Sequence, residues 1–76
     1  MEWTKVSDGF PDKEMFVLVT VRSKIEPTHY YVDSCYYGYE DSLGMCFNYY
    51  DDEFEEIMEL TGVVAWMPIP SPCVMD

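Results

Sequence analysis

The residue types that do chemistry are few in this chain of 76 residues, and their spacing argues against a catalytic centre. His29 is the sole histidine, and a nucleophile–base pair would need it beside a cysteine or serine. His29 and Cys35 fall on one predicted strand, where six residues of strand rise separate them by about 20 Å. That is too far for proton transfer and leaves a His29–Cys46 pair as the open alternative. Cys35, Cys46 and Cys73 form no C-x-x-C pair and read as reduced, inert thiols. Three cysteines with His29 lack the short spacings of a structural zinc site. Asp51-Asp52-Glu53 has neither the spaced ligands nor the glycine of a calcium loop, so it reads as a solvated acidic cap. A chain this short has little room for the cleft that glycoside chemistry requires. The four glycines are scattered, so no phosphate-cradling loop is present. The expectation is a non-enzyme without cofactor or metal.

The elements that must position these residues follow from periodicity. Residues 1–76 read as a single small domain, with 49% hydrophobic and 17% aromatic residues favouring a folded core over disorder. Trp3–Val6 alternates like a short edge strand, and Ser7–Asp12 reads as a turn. Met15–Val21 is nearly continuous in apolarity, which predicts a central strand covered on both faces. Ser23–Thr28 reads as a loop around Pro27. His29–Tyr37 predicts a strand with Tyr30, Val32, Ser34 and Tyr36 on one face and Tyr31, Asp33, Cys35 and Tyr37 on the other. Gly38–Gly44 reads as a turn, and Met45–Tyr50 as the returning strand.

After Asp51 or Asp52 as cap, the spacing of Phe54, Ile57, Met58 and Thr61 predicts a short helix. Its opposite side would carry Glu53, Glu55, Glu56 and Glu59, and Gly62 would end it. Val63–Met67 predicts a last strand, followed by a proline-punctuated extended tail. The expected fold class is α+β: a small antiparallel sheet of three to four strands with one short acidic helix on one face. A helix-free β meander, with 52–61 as a loop, is the alternative.

The two ends carry a recognisable pattern. Trp3-x-x-Val6-Ser7-Asp8-x-x-Pro11 opens the chain, Val17–Val19 follows as a strand, and Val64-x-Trp66-Met67-Pro68-Ile69-Pro70 closes it. This resembles a short phage and bacterial family catalogued as domain of unknown function 551. The resemblance implies a compact β-rich domain and brings no catalytic residues. The Tyr-rich, acidic middle departs from the family's usual pattern. Trp3 and Trp66 read as structural anchors that pack together where the ends meet.

Charge supplies the functional expectation. Residues 1–24 are neutral in sum, whereas residues 25–76 contain no Lys or Arg and carry the whole net charge of −11. Such a field repels nucleic acid and anionic membrane and speeds encounter with basic protein surfaces. No apolar run is long enough to span a bilayer, and Met1-Glu2-Trp3 does not open a secretory signal, so a cytoplasmic location in a host cell is expected. Carboxylates and tyrosines interleave in the middle segment, and tyrosine suits interfaces. The candidate partner-binding residues are Asp33, Tyr37, Tyr39, Glu40, Asp41, Asp51, Asp52, Glu53, Glu55, Glu56 and Glu59. The function this points to is a phage-encoded inhibitor that mimics DNA and occupies a basic nucleic-acid-binding groove of a CRISPR effector or nuclease, in the manner of an anti-CRISPR protein. The alternative is a structural or virion-associated phage protein that acts by homo-oligomerisation, its acids serving solubility only.

Overall fold

The structure, a computed structural model, describes residues 2–70. Six strands form one antiparallel sheet: β1 (Thr4–Lys5), β2 (Met15–Arg22), β3 (Tyr30–Glu40), β4 (Gly44–Asp51), β5 (Glu56–Glu59) and β6 (Val63–Pro68), in the spatial order β1-β6-β2-β3-β4-β5. The fold is therefore all-β, which corrects the expected α+β class and its three to four strands. The tail beyond Pro70, with Pro72 and Cys73, lies outside the described residues.

The expected acidic helix is a hairpin instead. Residues 52–55 form a turn, and Glu56–Glu59 runs back along β4 with Asp51 opposite Glu56 and Asn48 opposite Glu59. A single short helix is marginal without packing, whereas the outer edge of β4 supplies ready backbone partners for β5. Asp51 does cap, but it caps the turn: its Oδ1 accepts hydrogen bonds from the Glu53 and Phe54 amides at 2.9 and 3.1 Å. Glu55 closes the turn with φ of 52°, in the left-handed region.

Strand β2 organises the core. Val17, Val19 and Val21 point to one face and are almost completely buried, joined there by Cys35, Tyr37 and Phe47. The opposite face of β2 is only partly covered, short of the full cover the sequence suggested: Met67 and Ala65, opposite Leu18 and Thr20, are buried there, whereas Phe16 is 67% exposed. The two ends of the chain do meet, through pairing of β1 with β6. The two tryptophans do not stack, however. Thr4 rather than Trp3 lies opposite Trp66, so alternation sends Trp3 to the other face. Trp66 packs on the core and its Nε1 donates to the Gly9 carbonyl at 3.0 Å.

The sheet must curl. Strands β5 and β6 are four places apart, about 19 Å at normal strand spacing, yet the chain from Glu59 to Val63 reaches at most about 14 Å. The connection bridges the inner face: the Leu60 amide donates to Phe47 at 2.8 Å, and the Arg22 amide donates to Gly62 at 2.9 Å. Leu60 packs on the core as it crosses. Gly62 has φ of 85°, and a Cβ there would stand 3.0 Å from the Arg22 carbonyl oxygen, so glycine is required.

Curling also divides the sheet. Strand β3 pairs with β2 along Tyr30–Tyr37 but with β4 only from Tyr36 to Glu40. Strand β4 beyond Asn48 pairs with β5 alone. Strands β3 and β4 thus part below the Tyr36–Asn48 pair and leave a fork between them.

Candidate protein-binding surface

Seven of the nine candidate acids are held at two hairpin turns at opposite ends of β4. The first is the tight β3–β4 turn, where the Leu43 amide donates to the Glu40 carbonyl at 3.0 Å and Gly44 takes φ of 79°. Glu40 ends β3 and accepts from the Ser42 amide and hydroxyl, while Asp41 is exposed in the turn. The second is the β4–β5 turn with Asp51, Asp52, Glu53, Glu55 and Glu56. Strand β4 spans roughly 23 Å at ordinary strand rise, so the two groups form separate patches rather than one continuous carboxylate face. The β4–β5 turn is the denser of the two.

Asp33 and Glu59 are exposed on β3 and β5, the first with its Oδ1 accepting from the Ser34 amide at 2.8 Å. Tyr39 is exposed, and its amide donates to Glu14 Oε1 at 2.7 Å. Tyr37 is a core residue. It is 8% exposed, with its ring 5.0 Å from Phe47 and stacked 6.1 Å from Phe10. Burial removes it from any contact surface; the alternation put Tyr36 and Tyr37 on opposite faces without saying which face is inside.

Phe54 is a candidate contact residue that pattern reading missed. On a helix it would pack inward; at the tip of the β4–β5 turn it is 65% exposed among the acids. The outer face of the sheet adds further exposed apolar side chains at Phe16, Val32, Tyr50, Ile57 and Ile69. For Phe16 and Tyr50 a signal was present in the apolarity of both faces of β2 and β4.

The nucleophile candidates are dispersed. His29 is exposed in the β2–β3 loop, with its Nδ1 3.2 Å from Glu26 Oε2. Cys35 and Cys46 are buried free thiols on opposite faces of the sheet. Burial, helped by Asp33 and Cys46, pushes the Cys35 thiol up to about 11. Burial also raises Cys46, against the lowering effect of its contact with Asn48. Asn48 is itself buried, and its Nδ2 donates to the Cys46 and Gly38 carbonyls. A proton-holding thiol without a base is a packing group. Among the described residues no three His, Cys, Asp or Glu side chains come together as metal ligands.

Fold and surface together define a small curled all-β domain whose charged and aromatic groups project from hairpin turns and a sheet face. The chain belongs to the family described as protein of unknown function (DUF551), whose model matches residues 2–74. No curated protein and no solved structure matches the chain. Among the described residues no helix is long and apolar enough to cross a membrane.

Proposed function

We propose that this chain is a protein-binding inhibitor of phage type, docking its β4–β5 turn on a basic surface that a host or defence protein otherwise offers to nucleic acid. One observation carries the reading: Phe54 stands exposed at the centre of a turn that holds Asp52, Glu53, Glu55 and Glu56, with no cation in the chain after Lys24. An exposed aromatic side chain ringed by like charge has the form of an interface anchor with a steering rim. Asp51 fixes the backbone of the turn, which lowers the ordering cost of binding. The carboxylates would stand where phosphates lie in the partner's groove. Because the acids divide between two turns, the mimicry is of a short phosphate cluster rather than of a long duplex. A CRISPR effector or a nuclease is the kind of partner that fits.

The test is capture of the partner from nuclease-bearing host lysate at low and high salt, followed by nucleic-acid competition. The combined Glu53→Gln, Glu55→Gln and Glu56→Gln variant should lose capture. Capture by that variant at wild-type level, or a captured partner that binds nucleic acid equally well with the chain present, would sink the proposal.

Self-association is a second reading, favoured by the exposed apolar outer face around Phe16, Val32 and Ile57. It predicts a stable oligomer by light scattering that Phe16→Ser dissolves.

A further inference from the structure

We infer that the fork between β3 and β4 is a second docking site, and that it takes an extended basic segment of the partner by strand addition along Tyr30–Ser34. The inference rests on the proposal that the partner surface is basic, and it adds where and how part of that surface is held.

Backbone direction can be read from three bonds. The Ser23 amide donates to His29, the Arg22 amide to Gly62, and the Leu60 amide to Phe47. In an antiparallel ladder a residue points its N–H and C=O to the same side, and the side alternates along the strand. Ser23–His29 therefore sets Tyr31, Asp33 and Cys35 bonding toward β2, and turns Tyr30, Val32 and Ser34 away from it. By the same count Phe47, Tyr49 and Asp51 bond toward β5, and Tyr50 faces back into the fork. The β3–β4 ladder ends at Tyr36 and Asn48, so among the described residues no strand pairs with the groups that Tyr30, Val32, Ser34 and Tyr50 aim there.

The fork is roomy and has two distinct sides. A cavity of about 430 Å³ lies in it, lined by Phe16, Tyr36, Asn48, Tyr50, Ile57 and Ile69 among others. Most of that lining belongs to the outer face, with Cys35 and Tyr49 of the inner face at its floor, and it suits apolar side chains. Tyr31 and Asp33 lie on the inner face of β3, and Asp51 lies on that of β4 with Glu56 opposite it on β5. A strand laid along β3 sends alternate side chains to the two faces. Its outer-face residues meet the apolar cavity, and its inner-face residues meet carboxylates. Alternating apolar and Lys or Arg residues complement both sides. A second copy of this chain is a poorer match, because the cations in its strands, Lys5 and Arg22, stand singly at strand ends and none alternates with apolar residues along a strand.

The edge is also guarded. Asp33 Oδ1 holds the Ser34 amide at 2.8 Å, so one outward donor is covered until a strand displaces it. An unguarded apolar edge would recruit any exposed strand. A carboxylate guard is displaced most readily by a segment that brings a cation to it.

The experiment uses the full chain, an alternating Lys-Val peptide, and the same peptide with alternate backbone amides N-methylated. Binding is followed by amide hydrogen exchange read residue by residue in NMR spectra. The expected result is binding of the plain peptide with new protection at Tyr30, Val32 and Ser34, and binding weakened about tenfold or more by methylation, as loss of two backbone hydrogen bonds implies. Equal binding of both peptides overturns strand addition while leaving an acidic docking surface standing. No binding of the plain peptide at low salt overturns the fork site, whereas the proposed function then stands or falls on capture by the β4–β5 turn. Protection of the same amides that grows with protein concentration alone would assign the edge to a second copy and overturn the inference. All arms use the unmodified chain, so misfolding of a variant does not blur the outcome.

Discussion

Replacing Glu55 by glycine should make the domain more stable. The φ of 52° places Glu55 in the left-handed region, which costs a residue with a Cβ about 1–2 kcal/mol. Glycine escapes that cost but loses about 0.5–1 kcal/mol through its greater freedom in the unfolded chain. The net expectation is a gain of about 0.5–1 kcal/mol, or an upward shift in Tm of about 2–8 °C for a domain of this size. Thermal melts and urea titrations of wild type, Glu55→Gly and Glu55→Ala would measure it. The alanine variant removes the same charge but keeps the Cβ, so it should fall below the glycine variant. The helical alternative predicts the opposite sign, because glycine within a helix costs about 0.5–1 kcal/mol. A Glu55→Gly variant that melts below Glu55→Ala would refute the hairpin turn and with it the exposed position of Phe54.

Gly62→Ala should lose about 2 kcal/mol, from its positive φ and from a Cβ 3.0 Å from the Arg22 carbonyl oxygen; a lowered urea midpoint at constant slope would show it. Cys35 and Cys46 should resist alkylation at pH 8 in the folded chain and react on denaturation. The Cys35 thiol is raised from 9.0 to about 11 on folding, so the folded state favours the protonated form. Its contribution is complete below pH 9 and is lost as the pH rises toward 11, a decline that Cys35→Ala should lack when the two melting curves are compared. Asp33→Ala uncovers the Ser34 amide and should move the chain toward larger species in sedimentation at high concentration; an unchanged distribution would argue that Asp33 guards nothing.

Much of the sheet was legible. Strands β2, β3, β4 and β6 announce themselves through β-branched and aromatic runs bounded by Gly, Pro and Asp, and the faces of β3 follow from alternation. Pairing of the chain ends was legible in the Trp3 and Trp66 segments, though the register that parts the two rings was not. The segment after Asp51 misled because Phe54, Ile57, Met58 and Thr61 satisfy helical spacing, while Ile57 and Met58 equally suit a strand with one residue on each face. What decides is the free edge of β4, a tertiary fact outside the segment. The fork was illegible for a similar reason: hydrophobic pattern sets the faces of β3 and β4 but not the residue at which curling separates them. Of the candidate surface, the acids and Tyr39 lie exposed or half-buried as binding would require, Tyr37 lies in the core, and Phe54 emerges only once the helix is gone.

The most direct measurement is the association kinetics of the captured partner with wild type, with Phe54→Ala, and with the combined Glu53→Gln, Glu55→Gln and Glu56→Gln variant, over a range of salt concentration. The charges of the turn steer encounter, so the triple variant should associate about tenfold or more slowly and lose most of its salt dependence. Phe54→Ala should associate at the wild-type rate and dissociate faster, as loss of an aromatic anchor requires. Association rates and salt slopes that are the same for all three proteins would contradict the docking turn.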